Sequence, residues 1–241
     1  MDNASYIALS RALALTDRLT VVAANVANLR TTGYRAERLR FETVLLSAGE
    51  PGRLAYVQDV GRIRDLRPAP LEHTGAPLDF AIVGRGYFTV ATPQGPAYTR
   101  AGHFTRDAEG RLVTSDGFAL LDENGSEIVL PEGAGRPVLT PDGVLSVPGA
   151  GAIARIQPVE FADEGALEHV GGGLYRTRQT PRPSGEARLV QGKLEGSNVE
   201  PVRELTRLVD TTRAFEATMR MLETHHELVR RTSDRTLAPA A

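Results

Sequence analysis

His225 and His226 stand side by side and are followed by Glu227; His73, His103 and His169 complete the histidines of the chain. A zinc site needs imidazoles that converge on one ion, and helical zinc motifs place them at i and i+4. Adjacent helical residues point about 100° apart, so the pair reads as helix surface, with His226 half-buried on an apolar stripe. Gly84-Arg85-Gly86 lacks the third glycine of a dinucleotide fingerprint and runs into a strand-like segment. Pro148-Gly149-Ala150-Gly151-Ala152-Ile153-Ala154 follows a strand-like Val144–Val147, but no helical pattern comes after it. Lys193 is the only lysine, so neither segment becomes a phosphate-cradling Walker loop. Asp79, Asp107, Glu109, Asp116, Asp122 and Glu123 could furnish the carboxylate pair of a glycosidase. Most of them lie close to a glycine in expected turns, where acidic residues serve the backbone. No serine sits in a G-x-S-x-G elbow, and without cysteine there is no disulfide, thiolate metal site or thiol nucleophile. These residues therefore predict no catalytic residue, no cofactor and no metal, and the expected chain is not an enzyme. The alternative of another class is a secreted β-rich carbohydrate-binding or hydrolytic domain, which would show a pocket of converging carboxylates.

The elements around these residues give a clearer message. Ala8, Ala12, Leu15, Leu19, Val22, Val26 and Leu29 recur at alternating steps of four and three, the heptad spacing that keeps one helix seam toward a partner. Leu205, Leu208, Thr212, Phe215, Met219, Leu222, His226 and Val229 repeat that spacing near the other end. Pro201 suits a first helical turn, with Asn198 placed to help cap it. Two matched stripes at opposite ends predict N- and C-terminal α-helices pairing as a coiled coil.

Between them the period changes to that of strands. Phe80–Val83, Tyr87–Val90, Arg111–Thr114, Phe118–Leu121 and Glu127–Leu130 are short runs with β-branched and aromatic residues, separated by turns such as Asp116-Gly117 and Asn124-Gly125. With spacing near ten residues they predict a mainly β central domain, an antiparallel sandwich or barrel. The expected organisation is an N-terminal helix over 1–32, an extended connecting arm over 33–77, a β-rich domain over 78–180, a returning arm over 181–200 and a C-terminal helix over 201–241.

Of the 241 residues 41% are apolar but only 5% aromatic, with no tryptophan, so a core rests on Val, Leu, Ile and Ala with Tyr and Phe as sparse anchors. A net charge of −2 gives no reason to expect a nucleic-acid partner. The four arginines between Arg53 and Arg67 are interrupted by Asp59 and Asp65 and read as a solvated arm. Arg11, Asp17 and Arg18 break the apolar residues near the start, which argues against a Sec signal and against membrane insertion.

Three segments are similar to the flagellar axial family of rod and hook proteins. The stretch Val21–Arg35 resembles the family signature A-N-N-x-A-N-x-x-T-x-G-[FY]-[KR], with Asn25, Ala27, Asn28, Thr31, Gly33, Tyr34 and Arg35 in place and Ala24 at the first Asn. The apolar stripe ends at Leu29, where Asn side chains can satisfy backbone groups and Gly33 allows a sharp exit. Leu78–Val90 with Tyr98–Phe104 resembles the opening of the family's β domain. Gln191–Val202, leading to Arg213-Ala214-Phe215-Glu216-Ala217, resembles its C-terminal signature, with Glu200 at the usual second Asn. Within the family the short length and the opening Met1-Asp2-x-x-x-Tyr6-x-Ala8 fit a proximal rod subunit better than a distal one.

The resemblance implies a structural subunit of the bacterial flagellar basal body, located in the periplasmic rod and exported by the flagellar type III apparatus without a cleaved signal. The expected partners are other rod subunits, proximal and distal, and further copies of the chain; no small-molecule substrate is expected. Leu15, Leu19, Val22 and Val26 are expected to pack against Leu208, Phe215, Met219 and Leu222 of the same or a neighbouring subunit. Asn25, Asn28 and Gly33 complete the expected assembly interface.

Overall fold

The computed structural model describes residues 3–47, 53–133 and 135–237, with the side chains of 3–5, 41–60, 229 and 231–237 outside the description. The chain divides into a helical unit (Met1–Ala27, Ala36–Asp65 and Val199–Ala241) and a β unit (Asn28–Arg35 and Leu66–Asn198).

In the helical unit, α1 spans Asn3–Ala27 and α2 spans Pro201–Leu237. At 1.5 Å per residue they are about 37 and about 55 Å long. The two helices pack on each other. Between them in sequence, β1 (Glu37–Ser47) and β2 (Arg53–Arg64) form an antiparallel hairpin that rests on α1. Its register runs from Glu37 opposite Arg64 to Ser47 opposite Arg53, with a bulge between Arg40 and Phe41. Part of the expected extended connecting arm thus holds a strand pair. Of its basic run, Arg53 and Asp59 lie outside the described side chains, while Arg62 pairs with Glu37 at 3.5 Å and Asp65 with Arg38 at 3.2 Å.

The β unit is assembled from short antiparallel strands. They begin with β3 (Leu71–His73), β4 (Phe80–Val83), β5 (Phe88–Thr92) and β6 (Gly95–Thr99). Next come β7 (Thr105–Arg106), β8 (Leu112–Val113), β9 (Ala119–Leu120) and β10 (Val138–Leu139). Then follow β11 (Val144–Val147), β12 (Gly151–Arg155), β13 (Val159–Glu160), β14 (Glu168–Gly171) and β15 (Leu174–Arg176). The last are β16 (Arg182–Pro183), β17 (Arg188–Gln191) and β18 (Lys193–Glu195). One seven-stranded sheet has the order β14-β15-β6-β5-β9-β8-β7, and β17 pairs with β4 and β18 with β3. Its outer strands β14 and β7 are not paired to each other, so the expected barrel does not close. Strands of two to five residues, many of them followed by a glycine-containing turn, are too brief to carry a ladder around. Of the strand-like runs, Phe80–Val83 is a strand as read, whereas Glu127–Leu130 contributes only isolated bridges, at Glu127 and Val129.

The core is dense and aromatic where the sequence supplies rings. Phe80, Phe88, Phe104, Leu112, Leu120, Leu145 and Leu189 are buried in one cluster, and Phe88 meets Phe104 edge-on at 5.4 Å. Tyr87, Tyr98, Phe161 and Tyr175 form a second, with Tyr98 and Phe161 centred 4.7 Å apart. Burial pushes the Tyr98 phenol up from its ordinary pKa. Gly102 is fixed by close approach: a Cβ there would lie 1.6 Å from the Phe80 carbonyl oxygen.

Candidate functional site

The apolar stripe of α1 lies toward protein as its spacing requires. Ala8, Ala12 and Val22 are buried, and Leu15, Leu19, Val26 and Leu29 are half-buried. On α2 the stripe is half right. Leu208, Phe215 and Leu222 are half-buried, but Leu205, Thr212, Met219 and His226 are exposed. The positions that alternate with Leu208, Phe215 and Leu222 are Thr211, Thr218 and His225, one residue earlier; the first two are buried and His225 is half-buried. Val229 falls outside the described side chains. The physical reason for the changed phase is size and self-satisfaction. A small threonine permits close helix approach, and its hydroxyl bonds back into its own helix. Thr211 Oγ1 donates to the Arg207 carbonyl at 2.7 Å and Thr218 Oγ1 to the Ala214 carbonyl at 2.8 Å. Met219 is left 38% exposed, and near the start of α2 Val202 is 80% exposed. On α1, Tyr6, Leu9 and Leu13 also face outward.

Asn25 does more than end a helix. It is buried, its Oδ1 accepts from the Glu37 backbone N–H at 2.9 Å, and its Nδ2 donates to the Glu37 carbonyl at 2.8 Å. The amide thus treats the base of β1 as a strand would. Nδ2 also lies 3.4 Å from Glu204 Oε2, and the other oxygen of this buried carboxylate accepts from Arg207. One side chain therefore joins the end of α1, the base of the hairpin and the start of α2 within the helical unit.

Asn28 and Gly33 lie in the β unit. Asn28 Oδ1 accepts from the Thr31 hydroxyl at 3.0 Å. Gly33 has φ +71°, and a Cβ there would lie 2.5 Å from the Arg100 backbone, so this exit tolerates no side chain.

The turn leads to a feature that spacing alone did not single out. Arg35, Arg100 and Glu195 form a buried ion triad, each at most 5% exposed. Glu195 Oε1 lies 2.7 Å from Arg35 Nη2 and accepts from the Ala69 N–H; Oε2 accepts from Arg100 Nε at 2.7 Å. Arg35 also donates to the Leu66 and Arg67 carbonyls. Arg100 donates to the carbonyls of Ile82, Gly84 and Gly86, closing the β4–β5 turn. Burial holds the Arg35 guanidinium below its ordinary pKa; Glu195 opposes that shift and the Arg100 charge adds to it. The available signal was three charged residues set inside otherwise apolar motifs: Gly33-Tyr34-Arg35, Tyr98-Thr99-Arg100 and Leu194-Glu195-Gly196.

Beside the triad is a cleft of about 630 Å³, walled by Leu66, Leu71, Ile82 and Val83. Two of its lining residues are carboxylates. Glu195 lies between two arginines; Glu164 is bound by Arg85 at 2.9 Å and by the Tyr87 hydroxyl at 3.0 Å. Both carboxylates are thus engaged by donors of the protein itself. No described helix is long and apolar enough to cross a membrane.

Comparison with known proteins assigns these regions to one family. A model described as flagella basal body rod protein matches residues 6–35. One described as flagellar hook protein FlgE/F/G D1 domain matches 81–147, and one described as flagellar basal body rod FlgEFG protein C-terminal matches 190–235. The chain is 38% identical to the flagellar basal-body rod protein FlgF of Caulobacter vibrioides, covering 98% of both chains. It is 36% identical to the FlgF of Rhizobium meliloti over 90% of each. To the flagellar basal-body rod protein FlgG of Bacillus subtilis it is 30% identical, over 88% of this chain and 90% of the relative.

Proposed function

Because the chain belongs to the flagellar basal-body rod protein family, we propose that it is built into the proximal part of the rod, where copies stack helically and transmit torque. It is a structural rod subunit, and the family is not one of enzymes. The observation that carries the assembly reading is the unfinished burial of the helical unit. Val202, Leu205 and Val209 on α2, and Tyr6, Leu9 and Leu13 on α1, are exposed on helices that already pack on each other. Exposed apolar helix faces of this kind suit protein neighbours.

In this reading α1 and α2 pair as a coiled coil and form the wall of the export channel. Leu15, Leu19, Val22, Asn25, Val26, Leu208, Phe215, Met219 and Leu222 order the helices, and Asn28 and Gly33 shape the exit into the β unit. The partners are further copies and the adjoining rod subunits. The chain reaches the periplasmic rod through the flagellar type III apparatus without loss of a signal segment, binds no nucleic acid or small-molecule substrate, inserts in no membrane and carries out no catalysis.

Mass spectrometry of basal bodies stripped of hook and filament tests this placement. Recovery in the rod fraction is expected; recovery only with the hook moves the subunit along the axis, and absence from both removes the rod reading. Phe215→Asp and Leu19→Asp are expected to leave the near-ultraviolet signal of the β unit intact while blocking incorporation. Normal incorporation of both would remove the helices from the interface.

A further inference from the structure

Three segments carry the backbone into or out of the β unit, which it enters before Asn28 and Leu66 and leaves after Arg35 and Asn198. These segments are bonded to one another inside that unit. Gly33 N–H donates to the Glu195 carbonyl at 2.7 Å, Asn198 N–H to the Tyr34 carbonyl at 3.3 Å and Gly196 N–H to the Pro70 carbonyl at 3.0 Å. Asn198 Nδ2 donates to the Arg67 carbonyl at 3.0 Å. The Glu195 carboxylate then takes one bond from each remaining direction: Arg35 from the first segment, the Ala69 N–H from the second and Arg100 from the core side.

We propose that Arg35, Glu195 and Arg100 form a positioning clasp that fixes the three exit segments of the β unit relative to one another, and that rod assembly depends on this fixing. The assembly part rests on the rod reading above; the local part does not. The energetics of buried ions favour a positioning role over a purely stabilising one. Withdrawing two guanidinium groups and a carboxylate from water costs much of what their attraction returns, and well-packed apolar residues often serve stability as well or better. What apolar residues do not supply is direction. Each oxygen of Glu195 is aimed at a defined donor, and Arg100 carries that geometry to the carbonyls of Ile82, Gly84 and Gly86. Gly33, pressed against the Arg100 backbone, holds the first segment in the same frame. The clasp therefore works as an alignment device whose output is the set of chain paths leaving the β unit.

The test compares Glu195→Gln with Leu120→Ala, a core cavity at a fully buried side chain away from the clasp. In the purified full chain, amide hydrogen exchange in Glu195→Gln is expected to speed up at least tenfold at Gly33, Gly196 and Asn198. It should stay within twofold of wild type at Leu112 and Ile128, whose amides bond within the core. In cells lacking the native copy, recovery of Glu195→Gln in basal bodies is expected to fall at least tenfold, while Leu120→Ala is recovered within threefold of wild type. Exchange that rises equally at Leu112 and Ile128, exchange unchanged at the exits, or equal loss of both variants from basal bodies would overturn the clasp. Absence of the wild-type chain from basal bodies would overturn the rod reading, and the exchange measurement would still decide the local part.

Discussion

The β unit closes its interior with rings and branched chains, whereas the second helix of the helical unit seats threonines and a glutamate at its buried positions. Phe80, Phe88, Leu112 and Leu120 are fully buried. In contrast, among the described side chains of α2 the buried ones are Glu204, Thr211 and Thr218, and the larger apolar ones are half-buried or exposed. Burial of apolar surface contributes roughly 25 cal/mol per Å², so the two regions draw very unequal stability from their own packing. The contrast teaches that one part of the chain buries its large rings within its own unit. The other gains its remaining burial from neighbours under the rod proposal.

The strongest way to break the comparison is to spoil the β unit. Gly102→Ala drives a methyl into the Phe80 carbonyl and is expected to cost about 4 kcal/mol, lowering the denaturant midpoint read by tyrosine fluorescence. A change below about 1 kcal/mol would show that the backbone yields there easily and that this core is less rigid than its packing implies. Next comes Asn25→Ala, which strips the Glu37 N–H and carbonyl of their shared partner. It is expected to cost about 2 kcal/mol, seen as faster exchange at the Glu37 amide with the β unit unaffected.

A change of opposite sign sharpens the contrast. Thr218→Val replaces a back-bonding hydroxyl at a buried helix position by a methyl, and is expected to raise helical stability by about 0.5 kcal/mol. Thermal melting followed at 222 nm checks it; a loss would mean that the hydroxyl is needed where it is. The smallest effect concerns acid. Burial tends to raise Asp107, but bonds from the Arg111 side chain and from the Arg111 and Glu109 backbone amides hold its carboxyl below the ordinary value of 3.8. A depressed folded-state pKa gives stability that is present above 3.8 and lost as pH falls through the lowered value. Asp107→Asn is expected to remove that acid-dependent slope and to lower neutral stability slightly, toward the value the wild type has in acid, checked by urea midpoints from pH 2 to 7.

Much of this molecule is legible in its sequence. The α1 stripe holds Ala8, Ala12 and Val22, which are buried, but Val21 and Asn25, one residue off the stripe, are buried as well. Phe80–Val83 is a strand between the residues expected, being apolar and followed by Gly84. On α2 the pattern found Leu208, Phe215 and Leu222 but chose Thr212 and Met219 over Thr211 and Thr218. Ranking by hydrophobicity favours methionine; close helix approach favours a small side chain that satisfies itself. The hairpin of β1 and β2 escaped because its strands carry charges among their apolar residues and its partner face is a helix.

By itself the sequence determined two terminal helices, an antiparallel β middle, the absence of thiol chemistry and membership of an axial family, since all these follow from local period, composition and motif. Only the tertiary structure decided that Arg35, Arg100 and Glu195 meet. Glu195 lies 95 residues beyond Arg100 in the chain. Such a meeting depends on the folded path of every strand between them, and no local pattern records it.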